Sequence, residues 1–543
     1  MSLRRIAHQP SPHAPLHDVA ATRAWEARAQ DRLPPHALMQ RAGEAVYRLG
    51  AAIAPHARRV WVVCGGGNNG GDGLLAAVRW QQRLQPIGGE VAVTWLGSED
   101  RLPPDARHAL GVARGSGLRW TDEPPPQTDL AIDALFGIGL RRPPHGEALR
   151  WIAHLQERSG PVLCVDLPSG LDADRGEWLA PTPLQANPQR HTLALLTLKP
   201  GLFTGQGREA AGHLWFDDLD TSLPDAEAPP PAAWLHGQTV LAEAPRRWQH
   251  GAHKGRHGNL LIVGGQLPDA RQPGMTGAAV LAARAGLHAG AGRVYVGLLP
   301  GPDATGAAWP AFDPLQPELM LRSATQLRDL AREPDSVSVC GCGGGQALAA
   351  VLPDLLTHSP RLVLDADALN AIAREPRWQQ ALARRAEAGL HTVLTPHPLE
   401  AARLLGTDTM QVQRDRLRAA QTLADTWRCV VVLKGSGSIT AAPGLPPRIN
   451  ASGNGLLATA GTGDVLAGLI GARLCLAPTR SPIDPAALQA LVADAVYAHG
   501  RVADTWPANR LTLCAGDMPA CLGQGGSSDH QQADLQQNDE HQH

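Results

Sequence analysis

Short apolar runs, bounded by glycine or proline and separated by longer helical segments, recur along the chain. In the first half they are VWVVC (60–64), VAVTWL (91–96), LAIDALF (130–136), VLCVDLP (162–168) and TLALLTL (192–198). In the second they are NLLIVGG (259–265), RVYVGLL (293–299), SVSVCG (336–341), RLVLDADAL (361–369), TVLTPHP (392–398) and CVVVLKG (429–435). Near-continuous apolar strands with helices between them predict mostly parallel sheets covered on both faces. Each half therefore reads as an α/β domain, a three-layer α/β/α sandwich. Ligands in such sheets bind beyond the carboxyl ends of the strands, so the residues that follow the runs are the informative ones.

Two stretches break the pattern. The acidic, proline-rich DDLDTSLPDAEAPPPAAW (217–234) reads as an interdomain connection. The polar tail GQGGSSDHQQADLQQNDEHQH (523–543) reads as disordered. The expected domains are 1–225 and 232–522.

The glycine-rich stretch GGGNNGGDG (65–73) sits between an apolar strand and the helical LLAAVRW (74–80). Gly65, Gly67 and Gly70 satisfy G-x-G-x-x-G, a dinucleotide fingerprint in position but a weak one alone. No Lys-Ser/Thr follows, which excludes a P-loop. Asp166 stands at the end of PVLCV, where a partly desolvated carboxylate can accept a proton or simply hydrogen-bond a substrate. In the second half, ATAGTGDVLAGLIGARL (458–474) places Gly461, Gly463, Asp464 and Gly468 at the start of an apolar helix. Free amides there form an anion hole, and Asp464 is placed to take a proton from a hydroxyl beside a phosphate. VVVLKGSGSI (430–439) ends a strand with Lys434 and a Gly-Ser loop suited to nucleotide phosphates.

These motifs carry a resemblance in each half. GGGNNGGDGLLAAVR, LMQRAG (38–43), IDALFGIGLRRP (132–143), VDLPSGLDAD (165–174) and LKPGL (198–202) resemble the NAD(P)H-hydrate epimerase family over about residues 20–220. The resemblance implies a Rossmann-like fold that interconverts the R and S epimers of hydrated NADH and NADPH. It implies substrate contacts at Asn68, Asn69, Gly70, Gly71, Asp72 and Asp166, and along Gly137, Ile138, Gly139, Leu140, Arg141, Arg142 and Pro143. It also implies potassium held by Asn69, Asp133 and Ser169. Asp72 reads as a loop-ordering carboxylate, and Lys199 as lying near substrate phosphate or serving structure.

HKGRHGNLLIVGG (253–265), GMTGAAVLAARAGLHAGAGRVYV (274–296), LDADAL, TPHPLEAARLL (395–405) and NASGNGLLATAGTGDVLAG (450–468) resemble the ADP-dependent NAD(P)H-hydrate dehydratase family. That implies a ribokinase-like fold which dehydrates the S hydrate at the expense of ADP, giving AMP and phosphate, with magnesium. It implies hydrate contacts at Ala278, Gly345, His397 and Asp464, and ADP contacts at Lys434, Gly435, Ser436, Gly437, Ser438 and Gly463. Two departures stand out: GCGGG (341–345) where the family has Gly-Pro-Gly-Leu-Gly, and Leu399 where it has glycine.

Bulk properties narrow the alternatives. At 543 residues the chain has room for about two to four domains. A net charge of −2 and no basic run give no sign of nucleic-acid or anionic-membrane partners. No apolar h-region or roughly 18-residue apolar span occurs, so a cytoplasmic protein is expected, with a homo-oligomer as its assembly. Eight scattered cysteines read as reduced thiols, and the Cys340/Cys342 pair as small core residues rather than metal ligands. Only three lysines occur, at 199, 254 and 434; where arginine is the default basic residue, each marks a place that suits a compact ammonium. The alternatives are a vitamin-precursor kinase of the ribokinase type, which would leave a stable phosphorylated product, and a nucleotide-binding module without chemistry in the first half.

Overall fold

The computed structural model describes residues 3–6, 13–237, 250, 253–268, 273–300, 312–477 and 483–523. All of the polar tail except Gly523 lies outside these residues. The chain divides into two compact units, Met1–Leu235 and His236–His543. Among the described residues no helix is long and apolar enough to cross a membrane, and all eight cysteines are free thiols.

The first unit is built on one sheet in the order Arg4–Arg5, His213–Asp217, Arg190–Leu195, Val162–Val165, Leu130–Ala134, Arg59–Gly65, Glu90–Leu96, Arg119–Trp120. Every neighbouring pair is parallel except the first. The central strand Arg59–Gly65 shows why both faces are covered. Val60, Val62 and Cys64 belong to one apolar cluster, with the helices Ala37–Ile53 and Asn68–Leu84. Trp61 and Val63 alternate onto the other, with Trp151, Ile152 and Leu155 of the helix Gly146–Gln156. From this strand the chain runs outward to Glu90–Leu96 on one side and later returns to Leu130–Ala134 on the other. That reversal opens a crevice at the strands' carboxyl ends.

The glycine-rich stretch is more helical than its composition suggests. The helix begins at Asn68, so Asn68–Asp72 form its first turns rather than a loop. Glycine disfavours helices by about 1 kcal/mol relative to alanine, but packing overrides this. A Cβ on Gly70 would stand 1.9 Å from the Gly65 carbonyl oxygen, and one on Gly73 would stand 2.4 Å from Ala134 Cβ. The missing side chains let this helix press against its own strand and the next.

The second unit's strands run in the order Met320–Ser323, Arg293–Leu299, Asn259–Gln266, Ser336–Cys340, Arg361–Leu364, His391–Leu394, Val430–Leu433, Ile439–Ala442, Leu445–Asn450. They are parallel up to Val430–Leu433, and the last two form antiparallel additions. Leu260, Ile262, Val337 and Val339 pack with the helices Thr276–His288 and Thr462–Cys475. These helices touch closely: a Cβ on Gly468 would lie 1.9 Å from the Ala282 carbonyl oxygen.

The proline-rich stretch belongs with the first unit. Glu227 pairs with Arg32 at 2.6 Å, Pro229 O contacts His17 Nε2 at 3.2 Å, and Ala232 N donates to Leu16 O at 2.8 Å. A fragment ending at 235 is therefore expected to fold and to melt higher than one ending at 225. Thermal unfolding of both fragments checks this, and equal melting points would contradict it.

Two candidate active sites

In the first unit a cavity of about 440 Å³ opens over the strand ends at the topological reversal. Its lining includes Asn68, Asn69, Asp72, Gly137, Ile138, Gly139, Leu140 and Asp166 of the expected residues. It does not include Gly70 and Gly71, which are buried in helix packing, or the exposed Arg141, Arg142 and Pro143. Asp133 and Ser169 are buried nearby at strand ends.

Asp166 follows the strand Val162–Val165 with φ of 65°, a left-handed backbone that a non-glycine residue rarely adopts. Its Oδ1 accepts from Lys199 Nζ and from Leu195 N at 3.2 Å. Lys199 Nζ also donates to Leu195 O at 2.7 Å, and its side chain is 1% exposed. Of the two readings of Lys199, these contacts favour the one in which it holds the carboxylate. A Cβ on Gly137 would stand 3.3 Å from Asp166 Oδ2 and 3.0 Å from Asn69 Oδ1, so glycine keeps space open between these two groups.

Beside them, Asp133 Oδ2 accepts from Ser169 N at 2.9 Å, and Oδ1 from Ser169 Oγ at 2.5 Å. Ser169 Oγ in turn accepts from Phe136 N at 2.9 Å. Burial pushes the Asp133 carboxyl upward, against the hydrogen bonds from Ser169. Asn69 Nδ2 is buried without a partner among the described residues. An amide, a carboxylate and a hydroxyl make an all-oxygen donor set, which suits a hard cation such as potassium.

Three further charged groups line the cavity, and none was singled out from sequence: Arg23 and Glu26 on the helix Val19–Gln30, and Asp105 on Pro104–Arg114. Glu26 Oε1 accepts from Asn68 Nδ2 at 3.4 Å, and burial pushes its carboxyl upward. Asp72 faces the same cavity from within the helix instead of ordering a loop. Burial, with the nearby charges of Asp166 and Glu26, raises it well above the usual carboxylate range.

In the second unit Lys434, Gly463 and Asp464 of the expected residues come together at strand ends and one helix start. Gly461 takes φ of 90° ahead of the helix Thr462–Cys475, and Asp464 sits in its first turn. Lys434 Nζ donates to Asp365 Oδ1 at 2.7 Å, and Thr395 Oγ1 donates to the same oxygen at 2.7 Å. A Cβ on Gly463 would lie 3.4 Å from Lys434 Nζ, which puts the ammonium at the helix N-terminus. Burial would lower Lys434, but the charges of Asp365 and Glu400 outweigh it and raise the amine. Asp464 is pushed up to about 6, chiefly by burial and then by the Asp365 charge. Asp365 itself was not among the expected site residues, although it lies in the LDADAL motif.

The remaining residues have mixed placements. Gly345, with φ of 54°, donates its N–H to Asp367 Oδ2 at 2.9 Å, so the altered GCGGG segment keeps a glycine-only turn. Ala278 packs against that turn, 3.0 Å from a Cβ built on Gly343. His397 caps the helix Pro398–Leu405: its Nδ1 accepts from Leu399 N at 3.1 Å, and its Nε2 lies 3.1 Å from Glu400 Oε1. Both ring nitrogens are thus engaged in the cap. Gly435 takes φ of 136° against the buried Arg416 guanidinium, and Ser438 Oγ donates to Gly435 O at 3.1 Å, so the loop that holds Ser436 and Gly437 is built from within. Cys342 is buried as expected, but its sulfur lies within 4.8 Å of Asp365 and Asp464 oxygens. The two carboxylates suit magnesium and the sulfur does not.

Comparison with known proteins decides the family. The family described as YjeF-related protein N-terminus matches residues 35–201, and the NAD(P)H-hydrate dehydratase family matches residues 260–521. The bifunctional NAD(P)H-hydrate repair enzyme Nnr of Escherichia coli (strain K12) is 35% identical over 487 residues, covering 86% of this chain and 84% of its own. The chain belongs to the bifunctional NAD(P)H-hydrate repair enzyme family, which pairs an epimerase with a dehydratase. The relative from Moorella thermoacetica (strain ATCC 39073 / JCM 9320) is 34% identical, covering 85% of this chain and 86% of its own. Among solved structures, the ADP/ATP-dependent NAD(P)H-hydrate dehydratase from Bacillus subtilis, co-crystallised with ATP and Mg2+, is similar at 27% identity and a TM-score of 0.39. It covers 52% of this chain, which covers 92% of that one. Within this family frame, Glu26 lies ahead of the first matched segment, where no motif could draw attention to it.

Proposed function

We propose that this chain repairs hydrated NADH and NADPH. The first unit interconverts the R and S hydrates, and the second dehydrates the S hydrate with ADP, releasing AMP and phosphate. The observation that carries this reading is that each unit sets a carboxylate beside a lysine: Asp166 paired with Lys199 past a strand end, and Asp464 at a helix start next to the Lys434–Asp365 pair.

In the first unit Asp166 takes the proton of the hydroxyl at carbon 6 of the hydrated ring. The oxygen's electrons form a carbonyl as the bond from carbon 6 to the ring nitrogen breaks, and after rotation the nitrogen re-adds to the other face while Asp166 returns the proton to oxygen. Lys199 fixes its direction, and Gly137 leaves the ring room to approach. Potassium, held by Asn69, Asp133 and Ser169, would supply a fixed positive charge there. In the second unit Asp464 takes the hydroxyl proton while the hydroxyl oxygen on carbon 6 attacks the β-phosphorus of ADP and AMP leaves. Lys434 and the helix N-terminus neutralise the phosphate charge. Ring nitrogen electrons then expel phosphate from carbon 6, and loss of a proton from carbon 5 completes the reduced nicotinamide. Phosphate leaves far more readily than hydroxide, which is what the phosphorylation achieves. Magnesium held at Asp365 would add charge neutralisation at the phosphates and leave Asp464 free to take the proton.

The direct test supplies mixed hydrate epimers with ADP and resolves both epimers and recovered NADH by chromatography. Complete recovery of NADH, faster than spontaneous epimer exchange allows, is expected. A stable phosphorylated hydrate as the end product would favour the kinase alternative. Replacing potassium by a bulky organic cation is expected to slow epimer exchange and leave dehydration of the S hydrate intact. Dehydration should also follow the state of Asp464. Its carboxyl, raised to about 6, is protonated and useless as a base below that pH. The rate should rise with pH through about 6 and level off above it, and a profile flat from pH 5 to 8 would remove Asp464 as the base.

A further inference from the structure

The geometry points to an inhibitory metal site in the second unit: a thiophilic divalent cation, zinc or cadmium, binds across Cys342, Asp365 and Asp464 and stops dehydration by occupying the base. The binding stands on these residues alone; only the loss of dehydration rests on the reading above. Cys342 stands where the family has proline, so its sulfur is no part of the machinery that the resemblance implies. The turn after the strand Ser336–Cys340 fixes its place. Gly341 takes φ of 119°, and a Cβ there would stand 1.9 Å from the Asp365 carbonyl oxygen, so the turn is pressed against the segment that carries Asp365. Cys342 is fully buried, and its thiol donates a hydrogen bond to Asp464. One ligand atom from each of Cys342, Asp365 and Asp464 lies within 4.8 Å of the other two. Around one tetrahedral zinc, with bonds of about 2.0–2.3 Å, neighbouring ligand atoms stand roughly 3.3–3.6 Å apart. Small side-chain movements therefore close all three onto an ion. The C-x-C spacing plays no part, since Cys340 lies in the strand and outside the cluster.

A second observation points the same way. The Asp365 side chain is 2% exposed, and its Oδ1 already accepts from Lys434 and Thr395. Among the described residues no hydrogen bond reaches its Oδ2. A buried carboxylate oxygen left bare is costly, and a cation recovers that cost. Magnesium can use the same oxygen, but it takes oxygen ligands and gains nothing from sulfur, whereas zinc and its heavier congener bind thiolate. Binding displaces the thiol proton to solvent. The negative charges of one thiolate and two carboxylates then cancel those of a divalent ion and the Lys434 ammonium. Asp464 is only half-buried, so the ion reaches the cluster from the substrate side. A carboxylate that ligates the metal no longer takes a proton, and dehydration stops.

The test uses the full chain with Cys514 and Cys521, the two cysteines that are not buried, replaced by serine. Cadmium chloride is titrated in while the ultraviolet charge-transfer band of a cadmium–thiolate bond is followed, a band that the histidines of the tail cannot produce. The band is expected to saturate at an equimolar amount of cadmium. Dehydration of the S hydrate should fall to background in step with it, while epimer exchange in the other unit continues. Cys342→Ala and Cys342→Ser should each lose the band. Relative to its own metal-free rate, each should need at least roughly tenfold more cadmium for half inhibition, a loss that even an outer-shell partner of a metal can bring. No band in the starting protein, or a band that survives in a Cys342 variant shown by circular dichroism to be folded, overturns the site. Cadmium affinity unchanged in both Asp365→Asn and Asp464→Asn overturns it as well. A saturated band with dehydration undiminished overturns the blocking of the base. A metal-free protein that dehydrates nothing would instead sink the dehydratase reading, and the band would still decide the site.

Discussion

Asp464→Asn is expected to lower dehydration roughly 100- to 10,000-fold, the usual range for removing a general base. The amide keeps the size of the side chain and can still accept a hydrogen bond, but it cannot take a proton. ADP affinity should change little, because phosphate binding is assigned to Lys434 and the helix N-terminus. Epimer exchange should persist, since the change lies in the other compact unit. The measurement is single-turnover recovery of NADH from the S hydrate, alongside ADP titration. A variant that dehydrates at near the wild-type rate would end the phosphoryl-transfer mechanism for this unit.

Asp166→Asn should do the reciprocal damage. Epimer exchange is expected to fall by a similar factor, roughly 100- to 10,000-fold, while dehydration of the S hydrate continues. With mixed hydrates and ADP, the S form should be consumed and the R form should remain, apart from slow spontaneous exchange. This change also breaks a buried ion pair, because Lys199 is 1% exposed and loses its counter-charge. Removing one partner of such a pair commonly costs about 3–5 kcal/mol of stability. The variant's melting point must therefore be followed beside its activity. A folded variant with full exchange would show that the carboxylate is not the proton acceptor.

How much of this was legible in the sequence depends on what carried each signal. Strand ends were readable because long apolar runs stop at polar residues, and Asp133, Asp166 and Lys434 all stand at or just past such ends. The start of the helix Asn68–Leu84 was not, because glycine propensity argues for a loop and only contacts with Gly65 and Ala134 reverse it. The cavity wall formed by Arg23, Glu26 and Asp105 was also hidden. Those residues lie on surface helices with ordinary charged patterning, and only the folded chain brings them over the strand ends. The roles of Asp365 and Lys199 needed side-chain geometry, since their motifs showed where they stand but not what they touch. The proline-rich stretch looked like a free connection because composition cannot reveal that Glu227, Pro229 and Ala232 are bonded to the first unit.

The scarcity of lysine has a practical consequence. Of three lysines, Lys199 is buried against Asp166 and Lys434 is largely covered beside Asp365, while Lys254 is exposed. Amine-directed acylation of the folded protein should then label Lys254 far faster than either site lysine. The protein can be tethered to a surface or tagged with a dye through that amine without blocking either reaction centre, and labelling of Lys199 or Lys434 would itself report that a site has opened.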